Sequence, residues 1–275
     1  MGHELKGYRP CGGALGALGS TTLPPDRTIT HRVYFSDLPG ALAGAPQTPF
    51  ELTIDGPEAH HAVNAKRLRV GESIELFDGR GTIARAEVLA VSTGKRASLS
   101  LSVHGSARID AVTPRIELWC PPPKGDRLET MIDQLSQLGV AVWRPLRAAR
   151  AERDTFRVDR LERAIIESAK QCGRAWLLEI GPWAAFDDAL GDERCRLCDV
   201  SGELVPPATD AGAVLVLGPE GGWTPDELER FCATGRPVVR FGPHVMRIET
   251  AAVAGASVLL AGAVAQGVDH PGIEE

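Results

Sequence analysis

A glycine-rich loop directly after an apolar run is the first feature of the sequence that can do chemistry. Val214–Leu217 is apolar throughout, as expected of a strand buried on both faces, and it leads into Gly218–Gly222. Thr224, Pro225 and Glu227 then carry the signals of a capped helix start. Such loops at the carboxyl ends of parallel strands bind ligands, and glycines let the backbone approach closely. The pattern predicts a small-molecule site, with a plain tight turn as the alternative.

The residues of this loop indicate which ligand suits it. The sequence has neither the G-x-x-x-x-G-K-[ST] nor the G-x-G-x-x-G pattern, and Glu220 puts negative charge where a phosphate would bind. An enzyme that holds a nucleotide phosphate here is therefore disfavoured. A cationic sulfonium with an adenosyl group fits better, because backbone groups can bond the adenine edge without a countercharge.

A second loop of the same kind follows further along the chain. Val238–Phe241 is another short apolar strand, and Gly242–Arg247 separates it from a helix expected to start near Thr250. The two Gly-Pro loops could form opposite walls of one pocket. Arg247 and Glu249 supply charge there, and a guanidinium is well suited to a phosphate or a developing negative oxygen. The alternative is that this pair only braces the helix start.

Other reactive side chains predict little. Cys195 and Cys198 are the only close pair among six cysteines, and without a second ligand pair no metal site is predicted. Scattered cysteines without a secretory leader favour reduced thiols in a cytoplasm. No stretch approaches the roughly 18 apolar residues of a membrane span, so none is expected. Trp223 lies beside the first loop, where it could stack on a base or, as we favour, pack beneath the loop.

The N-terminal part of the chain predicts a small barrel. Residues 1–29 are rich in Gly, Thr and Pro and are expected to be a flexible extension, with coding sequence upstream of the true start as the alternative. Between residues 30 and 103, short strand signals include a hairpin of Ser73–Phe77 with Thr82–Val91, and a helix is expected at Glu58–Arg69. Residues 104–114 are polar, end in Pro114 and are interpreted as a linker.

From residue 115 to residue 268, apolar strand signals alternate with helical patterns. Helices are expected at Asp126–Leu138, 159–172, 225–233 and 250–265, between the strand signals RIELWC, AVWRPL, WLLEI, RCRLCD, VLVLG and PVVRF. This alternation predicts an α/β domain with a mostly parallel sheet, followed by a tail at 269–275. The last helix is almost wholly small or apolar, so it is expected to pack against both the domain and a second subunit.

Charge is distributed unevenly along this chain of 275 residues, whose net charge is −6. Residues 144–174 hold nine Lys or Arg against five Asp or Glu, whereas residues 181–275 hold six against fifteen. A basic stripe on an acidic protein is an adequate surface for phosphates, and a solvated helix face is the alternative.

Four motifs in this order point to a family: HAVNAKRLRVGESIELFDG, PKGDRLETMIDQLSQLGV, ESAKQCGR, and LGPEGGWTPDEL with FGPHVMRIETAAVA. With them the chain resembles the bacterial 16S rRNA (uracil-N3)-methyltransferases of the SPOUT superfamily, which carry an N-terminal PUA-like barrel. The similarity runs from about Arg32 to Val268. Two motifs depart from the family pattern. This chain has SQLGV where relatives commonly have T-E-L-G-V, and HVMRIET where they commonly have R-x-L-R-T-E-T.

The resemblance implies a SPOUT-type α/β domain with a trefoil knot, a homodimer through the knot domain, and a cytoplasmic enzyme that binds S-adenosylmethionine (SAM). The SAM contacts that it implies are Leu217, Gly218, Pro219, Glu220, Gly221, Gly222, Phe241, Gly242, Val245, Met246 and Arg247. The implied substrate is 16S rRNA or the small ribosomal subunit, methylated at N3 of one uridine. Arg247 would stabilise the uracil anion or its phosphate, with Glu249 orienting it or acting as a base.

The resemblance also implies basic residues that contact rRNA. These are Arg32, Lys66, Arg67 and Arg69 from the barrel, and Lys124, Arg127, Arg150 and Arg174 from the second domain. A non-catalytic RNA-binding or ribosome-assembly protein of the same fold is the alternative, and the retained Gly218–Gly222, Arg247 and Glu249 disfavour it.

Overall fold

The computed structural model describes residues 29, 31–44, 49–94, 96–152, 155–204, 208 and 212–261. Almost all of the expected N-terminal extension, and the expected tail at 269–275, lie outside these residues.

The described part of the N-terminal region forms a five-stranded sheet in the order β1-β3-β4-β5-β2. Its elements are β1 His31–Tyr34, α1 Leu38–Gly44, β2 Phe50–Ile54, α2 Gly56–Asn64, β3 Ser73–Phe77, β4 Thr82–Ser92 and β5 Ser98–Arg108. Alternation explains the fold of β5, where the buried Leu99, Leu101 and Val103 alternate with serines. The predicted hairpin is confirmed, since β3 and β4 pair antiparallel from Ser73 opposite Glu87 to Phe77 opposite Ile83.

Two predicted boundaries in this region were wrong. The helix expected at Glu58–Arg69 ends at Asn64, because the chain turns and Arg67 adopts a left-handed backbone with φ 56°. The linker expected at 104–114 begins later, because β5 continues to Arg108 and pairs with β4 as far as Thr82.

The second sheet has the order β12-β10-β11-β6-β7-β8, and every neighbouring pair in it is parallel. Its strands are β6 Ile116–Cys120, β7 Val142–Arg147, β8 Glu179–Ile180, β9 Ala184–Ala185, which pairs with β7, β10 Cys195–Leu204, β11 Ala213–Leu217 and β12 Val238–Arg240. This confirms the predicted parallel α/β domain.

Helices cover both faces of this sheet. They are α3 Arg127–Leu138, α4 Val158–Cys172, α5 Phe186–Gly191, α6 Pro225–Cys232 and α7 Ile248–Leu259. Every residue of β6 and β11 is buried, because α3, α4 and α7 share a hydrophobic core with one face while α5 and α6 pack on the other. The last helix starts two residues earlier than expected and ends at Leu259, short of the expected residue 265.

Arg32 joins the two domains by donating to backbone carbonyls of the α/β domain. Arg32 on β1 contacts Glu75 at 2.7 Å through Nε and donates through NH1 to the carbonyl oxygens of Ala169, at 2.6 Å, and Arg174, at 3.1 Å. Arg174 itself donates to the carbonyls of Ser136 and Val140, both beyond the reach of solvent. Burial lowers the pKa of the Arg174 guanidinium to about 10.

Arg32 and Arg174 were both expected to contact rRNA, and the structure shows that each also bonds within the protein. Both guanidinium groups donate to carbonyls near the C-terminal ends of α3 and α4, where helices leave carbonyls without intrahelical partners. A salt bridge from Lys170 to Glu58, at 2.6 Å, adds a third cation to the same interface. Arg32 and Lys170 therefore tie the barrel to the α/β domain, while Arg174 bonds the end of α3 within that domain.

We expect Arg174→Met to lower the free energy of unfolding by about 2 kcal/mol, because it removes the guanidinium donors from the buried carbonyls of Ser136 and Val140 and leaves Ser136 with only the Gly139 N–H. Urea unfolding followed by circular dichroism measures the change. The control is Arg163→Met on the exposed face of α4, which should stay within about 0.5 kcal/mol of wild type. Equal loss in both variants would contradict the structural role.

Candidate functional site

The two Gly-Pro loops meet at the carboxyl ends of β10, β11 and β12, where they enclose a cavity of about 240 Å³. The sheet order explains the meeting, because it brings the ends of three strands that are distant in sequence to one edge. The structure places nine of the residues expected to bind a cofactor around this cavity: Leu217, Gly218, Pro219, Glu220, Gly222, Phe241, Gly242, Val245 and Met246.

The first loop is held in a tight conformation by its own backbone and by the helix after it. Gly222 has φ 66°, which favours glycine, and its N–H donates to the Pro219 carbonyl at 2.8 Å. The predicted capping box is present, because Thr224 Oγ1 accepts from the Glu227 N–H and Glu227 Oε2 accepts from the Thr224 N–H. The end of β11 and the capped start of α6 thus fix the conformation of the loop on both sides.

Trp223 fills the space beneath this loop. Its side chain is almost fully buried, and its Nε1–H donates to the Cys198 carbonyl on β10 at 2.9 Å. A Cβ on Gly218 would lie 3.0 Å from the indole ring, so the loop backbone rests directly on it. The packing interpretation of Trp223 is confirmed, although its edge also lines the cavity.

A third wall of the cavity, not predicted from the sequence, is formed by Cys198, Asp199 and Val200 of β10. Their position at the end of the apolar segment RCRLC was the available signal. Burial raises the pKa of the Cys198 thiol well above its ordinary value, so it is neutral. Cys195, three residues earlier, lies in the core on the other side of the sheet, so the two thiols do not converge on a metal.

The charges around the cavity are suited to a cation more than to a phosphate. Two carboxylates, Asp199 and Glu220, line it. Arg240 lines it too, but its guanidinium donates to the carbonyls of Gly202, at 2.9 Å, and Gly242, at 3.5 Å, and so braces the walls. Apolar walls, close-lying glycine backbone and carboxylates together fit an adenosyl sulfonium such as SAM.

Three of the residues expected at this site lie beside the cavity and do not line it: Arg247, Glu249 and Gly221. Arg247 is the N-cap residue of α7 and is exposed, between Met246 and Ile248, which do line it. Glu249 faces α3, where its Oε1 lies 3.5 Å from NH1 of Arg127 and its buried Oε2 has no hydrogen-bond partner.

Gly221 is turned toward Arg150. Its carbonyl accepts from NH1 of Arg150 at 2.9 Å, and the same NH1 donates to the Trp223 carbonyl at 3.1 Å. Arg150, expected to contact rRNA, therefore has a further role that the sequence did not suggest: it braces the glycine loop.

The other basic residues expected to contact rRNA divide into two groups. Lys66, Arg67 and Arg69 are exposed on the loop that follows α2. Lys124 pairs with Glu152, and Arg127 pairs with Glu249, so both have acidic partners within the domain.

In the described part of the chain, no group of three or more His, Cys, Asp or Glu side chains is placed to hold a metal ion. No helix within the same residues is long and apolar enough to cross a membrane.

Comparison with known families and proteins follows the same division of the chain. Residues 111–260 match the RNA methyltransferase domain, and residues 54–102 match the RNA methyltransferase PUA domain. Ribosomal RNA small subunit methyltransferase E of Mycobacterium bovis is 32% identical over 231 residues, which cover 75% of this chain and 85% of that protein. The protein of the same name from Bacillus subtilis is 26% identical over 220 residues, covering 72% and 85%.

Solved structures with the same fold include two that hold a cofactor. A Legionella pneumophila protein described as a methyltransferase, solved with bound SAM, has a TM-score of 0.72 at 24% identity, covering 84% of this chain and 97% of that one. Ribosomal RNA small subunit methyltransferase E of Neisseria gonorrhoeae, bound to SAM, has a TM-score of 0.68 at 22% identity, also covering 84% and 97%.

We expect Gly218→Val to weaken SAM binding at least tenfold, because the added side chain would push against Trp223 and narrow the cavity. Isothermal titration calorimetry with SAM measures the change, with circular dichroism to verify the fold. Gly191→Ala is the matched control, because a Cβ there meets no atom within 4 Å, and its affinity should equal that of wild type. Unchanged affinity in Gly218→Val would show that SAM does not use this cavity.

Proposed function

This chain belongs to the RNA methyltransferase family that includes ribosomal RNA small subunit methyltransferase E, and we propose on that basis that it methylates small-subunit rRNA with SAM as the methyl donor. The observation that carries the proposal is the cavity between the two Gly-Pro loops. The target that we propose is N3 of a single uridine, which rests on the resemblance of the sequence motifs. The site of action that we propose is the cytoplasm.

In this proposal the glycine loops bind and orient the cofactor. Bound SAM supplies an electrophilic methyl group on a cationic sulfur. Gly218 and Gly242 let the backbone of both loops approach the adenosyl group, while the carboxylates of Asp199 and Glu220 favour the positive charge. Arg150, Arg240 and Trp223 hold the loops in place, so little rearrangement accompanies binding.

Arg247 acts on the RNA. Methyl transfer to N3 requires loss of the imide proton, and the negative charge then spreads onto the neighbouring carbonyl oxygens of the base. Arg247 is exposed at the start of α7, next to the cavity lining, and its guanidinium can stabilise these oxygens or the adjacent phosphate. Most of the rate enhancement would come from this charge and from alignment of the two reactants.

Glu249 is a positioning residue in this scheme. Its pairing with Arg127 ties the first turn of α7 to α3, and this first turn begins at Arg247. The contact therefore acts on Arg247 through the helix and does not require a direct bond between the two side chains.

We also propose that the α/β domain contains a trefoil knot and that the protein is a homodimer. The chain crosses from the edge strand β12 back over the sheet to place α7 on α3, β6 and β11, as a knotted C-terminal segment would. One face of α7 is incompletely covered, with Ser257 exposed and Val253 and Ala254 half-buried, so a second copy of the chain can pack there.

The alternative is a non-catalytic RNA-binding protein of the same fold. A cavity with braced glycine loops and acidic side chains has no use in simple RNA binding, so methyl transfer is the better account of the site.

The function is tested by methylation of small-subunit rRNA taken from a strain that lacks this gene. Mass mapping then locates the new methyl group. We expect the wild-type protein to add one methyl group to a uridine. Arg247→Ala should lose at least a hundredfold in kcat while its affinity for SAM stays within about threefold, because its side chain lies outside the cavity. Wild-type turnover by this variant would refute the role of Arg247, and no SAM binding by the wild-type protein would refute the function.

We expect Ser257→Glu to convert a dimer into a monomer, because it places a charge on the uncovered face of α7. Light scattering during gel filtration measures the mass. Glu162→Gln on α4 is a control that should stay dimeric. A wild-type protein that runs as a monomer at micromolar concentration would contradict the proposed dimer.

A further inference from the structure

The proposed methyl transfer releases a proton, and a group at the site must accept it. The imide proton of the uracil has to leave N3 before or during the transfer, and a positioned base typically accelerates such a step about 100- to 10,000-fold. This base must lie where the uracil meets the cofactor, at the mouth of the cavity between the two glycine loops. The side chains that line the cavity are therefore the candidates.

Glu249, the base that the family resemblance left open, is excluded by its position. Its Oε2 is closed to solvent, and its Oε1 lies 3.5 Å from NH1 of Arg127 on the side of α3. The residue does not line the cavity. A base must come within about 2.6–3.2 Å of the atom whose proton it removes, so Glu249 cannot reach a nucleobase at the mouth.

The cavity lining offers four groups that can hold a proton: Cys198, Asp199, Glu220 and His244. Burial raises the pKa of the Cys198 thiol well above its ordinary value, so this thiol keeps its own proton and accepts none. Oδ1 of Asp199 already accepts from the N–H and the O–H of Ser201, at 2.9 Å and 2.6 Å. Carboxylates are weak bases in any case, because carboxylic acids ordinarily titrate at about pH 4, whereas imidazoles titrate close to neutrality.

His244 lies in the middle of the second glycine loop, between Gly242 and Met246, which also line the cavity. The residue is exposed, and its ring makes no hydrogen bond or ion pair with any residue that the structure describes. The other histidines among the described residues all belong to the barrel. An imidazole in this place is open both to a base that enters the mouth and to the water that must later remove the proton.

Charges of both signs surround this imidazole. Asp199 on β10, Glu220 in the first glycine loop and Arg240 on β12 line the same cavity. Arg247 follows His244 by three residues and is exposed beside the cavity. One loop therefore carries a group that can take the proton of the uracil and a guanidinium that can stabilise the charge left behind.

We propose that His244 is the general base of the reaction and removes the imide proton of the target uridine. The N3–H bond breaks as a ring nitrogen of neutral His244 takes the proton. The electron pair on N3 then bonds the methyl carbon while the methyl–sulfur bond breaks and its electron pair stays on sulfur. The exposed imidazolium gives its proton to water, which restores the base. The proposal rests on the proposed function, because that function makes N3 of a uridine the methyl acceptor.

This role belongs to the residue of this chain, because the family pattern R-x-L-R-T-E-T has arginine at the position of His244. An arginine side chain supplies charge and hydrogen-bond donors but accepts no proton in a protein. His244→Arg therefore separates the two roles, since it keeps a cation at this position and removes the base.

The pH dependence of single-turnover methylation, with protein in excess over RNA and SAM saturating, is the decisive measurement. We expect the wild-type rate to fall at acid pH, because protonation removes the base, and to level off where the imidazole is neutral. His244→Gln should be at least about a hundredfold slower at neutral pH. Its rate should keep rising into the alkaline range, because hydroxide takes the place of the missing base, while calorimetry should give a Kd for SAM close to that of wild type.

Two further variants control this measurement. His104→Gln is the matched control, since His104 is exposed on β5 of the barrel, and its pH profile should equal that of wild type. His244→Arg should be as slow as His244→Gln at neutral pH. Wild-type turnover in His244→Arg would show that the position supplies only charge, and it would overturn the proposal.

An NMR titration follows His244 without relying on methylation. In the SAM-bound protein, the midpoint of the His244 ring signals should coincide with the acid limb of kcat/KM for RNA, which reports the protein before RNA binds. Different midpoints, or an unchanged pH profile in a folded His244→Gln, overturn the proposal. A wild-type protein that transfers no methyl group at any pH overturns the proposed function itself.

Discussion

The site depends on one constraint, the side-by-side arrangement of β12, β10 and β11 in a parallel sheet. The loops that leave β11 and β12 meet at one edge and form two walls of the same cavity, and the middle of β10 forms the third. Short glycine loops at such an edge have few contacts of their own. Arg150, Arg240 and Trp223 supply these contacts by donating to carbonyls of the loops and of β10, so the cavity is held open by side chains around it.

Backbone carbonyls also explain how the two domains are joined. The C-terminal ends of α3 and α4 present carbonyls that the helices cannot satisfy internally, and arginines fill these positions. Arg32 reaches across from the barrel, and Arg174 reaches within the α/β domain.

Local signals accounted for most of the fold. The hairpin of β3 and β4, the capped start of α6 and the parallel sheet were all predicted, because apolar runs, turn residues and capping residues act over a few positions. The boundaries that failed depended on distant pairing. The chain stays extended through Arg108 because β4 offers a partner, and α2 stops early because Arg67 takes a left-handed backbone.

By itself the sequence determined that two glycine loops end two buried strands and that Glu220 disfavours a phosphate, because these properties belong to consecutive residues. Only the tertiary structure decided which charged side chains are available to a ligand. In sequence, an arginine just after a helix looks the same whether its guanidinium meets rRNA, as expected of Arg174, or two carbonyls near the end of α3, more than thirty residues away. Packing alone distinguishes these cases, since it determines which acceptors lie within reach and which atoms, such as Oδ2 of Asp78, remain without a partner.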